Sequence, residues 1–233
     1  MKRLKIRFFA LLYCGMFIGV VSLCQLASST VTTMKEFAPL ENRTVIIIDA
    51  GHGGVDGGAT SCTGILESHT NLQISLRLND LMQFLGYETK MIRKTDTSVY
   101  TEGNTIAAQK VSDLKQRVRL VNETENAILI SIHQNTFSDS RYNGAQVFYA
   151  SDDISRKLAG TLQAELISVL NPGSKRQCKS SDGIYLMQNI RRPGVLIECG
   201  FLSNPEEEAM LQSTEYQKMI ASVIATCISR FRI

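Results

Sequence analysis

The chain has 233 residues, 44% of them hydrophobic and 20% charged, with a formal net charge of +3. That hydrophobic share can build a sizeable core, and it excludes a disordered chain, a collagen-like chain and a multi-span membrane protein. Lys2, Arg3, Lys5 and Arg7 supply the positive excess; residues 8–29 hold no charged residue, and the rest balances 21 basic against 22 acidic residues. The basic character therefore belongs to the N-terminal end, not to a nucleic-acid-binding face.

Behind those four cations runs an apolar stretch from Phe8 to Cys24. Basic residues followed by an apolar run read as an export signal. Its length falls between a secretory core of about 7–15 residues and a membrane span of about 17–25, so residues 1–29 are a signal peptide or an N-terminal membrane anchor. Ala27-Ser28-Ser29 offers a small-residue cleavage site. The flanking cations place the N-terminus in the cytoplasm and the rest of the chain outside it. Membrane contact is expected through this segment alone. Leu23 before Cys24 argues against lipidation there. Residues 30–43 read as a polar linker.

From Thr44 onward, apolar runs alternate with amphipathic segments. Val45–Ile48 is a β-branched strand. Leu66–Leu85 has helical spacing and Gly86 as its cap. Tyr87–Ile92 alternates as a strand, and 93–111 reads as a polar loop. Ser112 caps a helix to about Asn122. Ala127–His133 is a second buried strand and Gly144–Ala150 a third. Asp153–Leu170 is a helix ended by Asn171-Pro172-Gly173. Ile184–Met187 and Val195–Glu198 read as two more strands. Asn204-Pro205-Glu206-Glu207-Glu208 starts a helix, with an Asn cap, Pro in the first turn and carboxylates at the positive end of the dipole. Thr214–Arg230 is the terminal helix. The alternation predicts an α/β domain over 44–233 with a mostly parallel sheet, whose sites gather beyond the carboxyl ends of the strands.

Strand 45–48 runs into Asp49-Ala50-Gly51-His52-Gly53-Gly54-Val55-Asp56-Gly57-Gly58, with five glycines in its last eight residues. Glycine at this density lets the backbone take positive φ and approach something closely. The pattern matches neither phosphate-binding glycine motif, and no Lys follows. Glu67 opens the next helix, and strand 127–133 ends on His133. Two histidines and a carboxylate at one sheet edge make a catalytic zinc set with a position left open; the alternative is one solvated and one core histidine. His69, two residues along a helix from Glu67, faces about 200° away and reads as solvated surface. Glu198 ends an apolar strand. Desolvation there raises a carboxyl pKa and suits it to proton transfer, unless it forms a structural ion pair with Arg191 or Arg192. Asp49 could orient an imidazole or cap its strand, Asn135 could contact substrate or hold a turn, and Asn204 is a helix cap. Cys62, Cys178, Cys199 and Cys227 show no C-x-x-C spacing, so a thiolate zinc site is not expected. Cys62 and Cys178 are a candidate disulfide, with free thiols as the alternative.

Four segments, IIIDAGHGGVDGGA, GILESHTNL, SIHQN and RPGVLIECGFLSNPEE, resemble in that order the motifs of the zinc-dependent N-acetylmuramoyl-L-alanine amidases of the amidase-3 family. The resemblance spans about residues 44–231. It implies a mixed sheet flanked by helices on both faces, one zinc ion held by His52, Glu67 and His133, and Glu198 as the catalytic carboxylate. It implies peptidoglycan as substrate, cut between the lactyl group of muramic acid and L-alanine. With no wall-binding repeat and only a short polar stretch at 93–111, the layout is similar to the CwlD-type amidases of spore formers. That similarity implies work on spore cortex on the route to muramic δ-lactam, a role in germination, and a forespore intermembrane location. The absent wall-binding module suggests an activating or targeting protein partner. A non-catalytic peptidoglycan-binding scaffold and a zinc peptidase cutting within the stem peptide are the competing expectations.

Overall fold

The computed structural model describes residues 44–231. The expected leader or anchor and the linker lie outside the described residues. Six strands form one sheet: β1 (Val45–Ala50), β2 (Glu88–Met91), β3 (Ala127–Asn135), β4 (Gln146–Tyr149), β5 (Lys179–Ser180) and β6 (Gly194–Phe201), in the order β2-β1-β3-β6-β4-β5. β2, β1, β3 and β6 run parallel; β4 lies antiparallel to β6 and parallel to β5. The expected mixed, mostly parallel α/β sheet is therefore present. Its helices are α1 (Glu67–Phe84), α2 (Ile106–Asn122), α3 (Asp153–Leu170), α4 (Tyr185–Asn189), α5 (Pro205–Gln212) and α6 (Thr214–Arg230).

The central strands are apolar on both sides because helices cover both faces. Ile46, Ile48, Ile130, Ile132 and Ile197 pack against Ile74 and Leu78 of α1, Leu162 and Leu166 of α3, and Ile220 and Ile224 of α6. Ile47, Leu129 and Leu196 point the other way, onto Val121 of α2 and Leu186 and Met187 of α4. The alternation along β1 divides one run of isoleucines between two cores. Among the described residues, no helix is long and apolar enough to cross a membrane.

Several boundaries differ from the sequence reading. Ile184–Met187 is not a strand: after Gly183, at φ +88°, the chain turns into the short helix α4. A four-residue apolar run fits either state, and here burying the adjacent Leu186 and Met187 against the sheet decides it. α2 begins earlier than expected, capped by Thr105, whose hydroxyl accepts from Ala108 N at 3.2 Å. Ser112 is buried inside that helix, and its hydroxyl accepts from Thr101 N and Glu102 N at 3.1 and 3.2 Å, pinning the preceding loop. The Asn204 cap forms as expected, accepting from Glu207 N at 3.0 Å. The Cys62–Cys178 disulfide does not form; the four cysteines of the described residues carry free thiols.

Candidate metal centre

β1, β3 and β6 end at one edge, and the predicted residues meet there. Beyond β1 the chain turns sharply. His52 takes φ +60°, a left-handed conformation rare for a residue with a side chain, followed by Gly53 at +133° and Gly54 at +56°. Gly53 and Asp56 exchange backbone hydrogen bonds of 2.7 and 3.1 Å that close the turn. Two glycines are there for space. A Cβ on Gly51 would sit 2.2 Å from His133 Nε2, and one on Gly58 would sit 2.6 Å from Glu67 Oε2.

Two buried arginines grip this loop by its carbonyls. Arg117 of α2 donates to Ala50 O and His52 O at 3.0 and 2.8 Å. Arg93, just past β2, donates to Ala50 O at 2.8 Å, Gly51 O at 3.0 Å and Ser68 O at 2.8 Å. The guanidinium of Arg117 is neutralised by Asp113 and Asp49, both buried. Asp49 therefore does not orient an imidazole. Its carboxylate accepts from Arg117 and from the Ser131 hydroxyl, 2.7 Å away on the neighbouring strand. Burial would raise its pKa, but the Arg117 charge and the His133 side chain hold it below the usual carboxylate range. The carboxylate that orients His52 is Asp56, 2.8 Å from Nδ1 and tied at its other oxygen to Lys110 Nζ at 2.7 Å.

That contact directs His52 Nε2 at Glu67 Oε2, 3.3 Å away, while His133 Nδ1 lies 3.0 Å from Glu67 Oε1. The two imidazoles stand edge to face with centroids 5.0 Å apart. One donor atom from each of His52, Glu67 and His133 lies within 4.8 Å of the others, so two nitrogens and a carboxylate oxygen converge on one point. Burial alone would raise the Glu67 carboxyl, but hydrogen bonds to His133 and His52 outweigh it and keep it ionised. His52 shows the reverse balance: burial disfavours its charge, yet Asp56 and Glu67 push it up to about 9. Two imidazole nitrogens and an ionised carboxylate oxygen converging on one point are a donor set that fits a divalent cation.

Glu198 sits beside this point, in register with His133 across β3 and β6. Its Oε2 is buried with no hydrogen-bond partner. The Arg191 or Arg192 pairing does not occur; ahead of β6, the Arg191 backbone and the Arg192 guanidinium instead hold Asn122 at the end of α2. Desolvation raises the Glu198 carboxyl to about 7, with Glu67 adding to the rise and both histidines opposing it. Asn135 lies past a register shift in β3, and its carbonyl accepts from Leu202 N at 2.8 Å. His69 is exposed as expected, and its ring meets Asp96 at 3.1 Å. A cleft of about 380 Å³ opens from the two imidazoles between α2 and α4, with Lys110, Leu114, Ile184 and Tyr185 among its walls.

A model of the Amidase_3 family, described as N-acetylmuramoyl-L-alanine amidase, matches residues 46–230. Over 195 residues the chain is 40% identical to a germination-specific N-acetylmuramoyl-L-alanine amidase of Bacillus subtilis, covering 83% of this chain and 81% of the relative. The CwlD amidase of Clostridioides difficile, solved in complex with the GerS lipoprotein, superposes with a TM-score of 0.77 at 38% identity, covering 81% of this chain and 98% of that one. The catalytic domain of CwlV, an N-acetylmuramoyl-L-alanine amidase from Bacillus (Paenibacillus) polymyxa, gives 0.66 at 28% identity over 80% and 96% of the two chains. With nearly all of the described fold matched, the chain belongs to the Amidase_3 family of N-acetylmuramoyl-L-alanine amidases.

Proposed function

We propose that the chain hydrolyses the amide between the lactyl group of N-acetylmuramic acid and L-alanine in peptidoglycan, using a zinc ion held by His52, Glu67 and His133. The observation that carries this reading is the convergence of those three donors beside Glu198, whose Oε2 is buried without a hydrogen-bond partner. When bound, zinc supplies a Lewis acid that polarises the amide carbonyl and lowers the pKa of water from about 15.7 toward 7. Glu198 is the proton carrier. In its ionised form it accepts a proton from the attacking water and returns it to the departing amino group of L-alanine, since an amine leaves only once protonated. A carboxyl that titrates at about 7 can do both near neutral pH. Asp56 holds His52 so that its other nitrogen faces the metal position. The cleft beside the imidazoles receives the substrate.

The named relatives support a finer reading for this chain: cortex peptidoglycan as substrate, germination as the setting, and a protein partner such as the lipoprotein seen with the Clostridioides difficile enzyme. Residues 1–29 would carry the chain across the cytoplasmic membrane, as a cleaved signal or a retained anchor, with 30–43 linking it to the catalytic domain of 44–233. Mass spectrometry of digested cortex muropeptides tests the chemistry, with zinc content measured on the same preparation. Muramic acid residues with a free lactyl carboxyl group, together with released stem peptides, are the expected products. Shortened stem peptides would make the enzyme a peptidase, and an unchanged digest with bound sacculi would make it a scaffold. Repeating the assay with and without the accessory protein tests the partner.

A further inference from the structure

The three proposed ligands come from three segments: a loop, a helix and a strand. One side chain touches all three. Asn71 is fully buried, and its Nδ2 donates to Glu67 Oε1 at 3.1 Å and to Gly51 O at 3.2 Å. Its Oδ1 accepts from Gln134 Nε2 at 3.2 Å. Gly51 precedes His52 and is the residue on which the His133 ring packs. Gln134 follows His133, and its backbone N–H donates to Glu67 Oε1 at 3.2 Å. Asparagine is a weak helix former, and this one lies inside α1, four residues from Glu67 and so directly beneath it. Helix propensity does not account for it there.

We propose that Asn71 is a positioning residue that assembles the metal centre, holding the Glu67 carboxylate in one rotamer while tying the His52 loop and the His133 strand to it. The proposal rests on the metal reading above. With Asn71, Gln134 N and Ala59 N all donating, Glu67 has little rotamer freedom left to lose when an ion arrives. Without Asn71, Glu67 Oε1 loses a donor and the Gly51 and Gln134 contacts lose their common partner.

The test uses the full chain in detergent, stripped of metal. Zinc affinity is read by competition with a chromophoric chelator, and thermal unfolding of the metal-free protein is recorded in parallel. Asn71→Ala should weaken zinc binding by about 10–100-fold, the usual cost of removing a group that orients a metal ligand. Gln134→Ala, which keeps the backbone donor to Glu67, should give a smaller loss and guards against an Asn71 variant that fails to fold. Leu166→Ala, in the hydrocarbon core under α3 and without a contact to any of the proposed ligands, should lower the melting temperature and leave zinc affinity unchanged. Wild-type zinc affinity in both amide variants, or a loss in Leu166→Ala that tracks its melting temperature, would assign Asn71 to packing alone. A wild-type chain that takes up no zinc would end the metal reading itself.

Discussion

The two faces of the sheet are built on opposite terms. Under α1, α3 and α6 lies the larger hydrocarbon core, with uncharged amides such as Asn71 and Gln217 buried beside it. Under α2 and α4 the strands begin apolar, with Ile47, Leu129 and Leu196, and end in Asp49, Ser131 and Glu198 on β1, β3 and β6. The first face gains stability from area removed from water and tolerates changes that preserve volume. The second buries charge, which is paired at Asp49 and Asp113 by Arg117 and left without a partner at Glu198 Oε2. The contrast teaches where this fold is replaceable and where it is not.

The sharpest way to break the comparison is Arg117→Ala. It leaves Asp49 and Asp113 buried and unpaired, and should cost about 3–5 kcal/mol of stability in chemical denaturation, enough to unfold a marginal domain. Leu166→Ala on the other face costs about 2–5 kcal/mol by leaving a cavity, with the zinc site intact.

Within the site, His133→Ala and Glu198→Gln should separate. The first loses zinc and activity together. The second keeps zinc, measured by atomic absorption, and loses turnover by about 10²-fold or more. Glu198→Gln also flattens a pH dependence of the metal-free protein. The Glu198 carboxyl titrates near 4.5 in the unfolded chain and about 7 when folded. Its contribution to stability is complete below 4.5 and disappears as pH rises through 7, when the folded state must ionise a desolvated group. Urea titrations should show wild type losing up to about 3 kcal/mol relative to the Gln variant across that window.

Asp56→Asn removes the charge that orients His52 and should weaken zinc affinity about 10–100-fold with little change in fold. The smallest effect is expected at His69. Its pairing with Asp96 is exposed, so His69→Ala should change stability by less than about 0.5 kcal/mol and leave zinc binding alone.

The four central residues were legible because each marks a boundary: His52 in a glycine run, Glu67 at a helix start, His133 and Glu198 at the close of apolar strands. Asp56 lies in the same motif, but Asp49, three residues before His52 at the close of β1, reads as the partner. The chain turns back at Gly53, so the residue four positions on, not the one three before, faces the ring. Asn71 carried a signal too, a polar amide one helical turn from Glu67. Arg93 and Arg117 carried none, because their partners in the loop are backbone carbonyls, which every residue has. The polar run 93–111 hid the first turns of α2, whose outward face is solvated, and the two-residue β5 is too short for any pattern.

One atom that is missing by design carries a further consequence. The imidazole of His133 occupies the space where any substituent larger than hydrogen at position 51 would have to go. Adding a single methyl group there would displace one of the three proposed ligands while the residues themselves stayed unchanged. Within this family, a chain with all its donors and an alanine at that one position would be an enzyme in inventory and inert in practice.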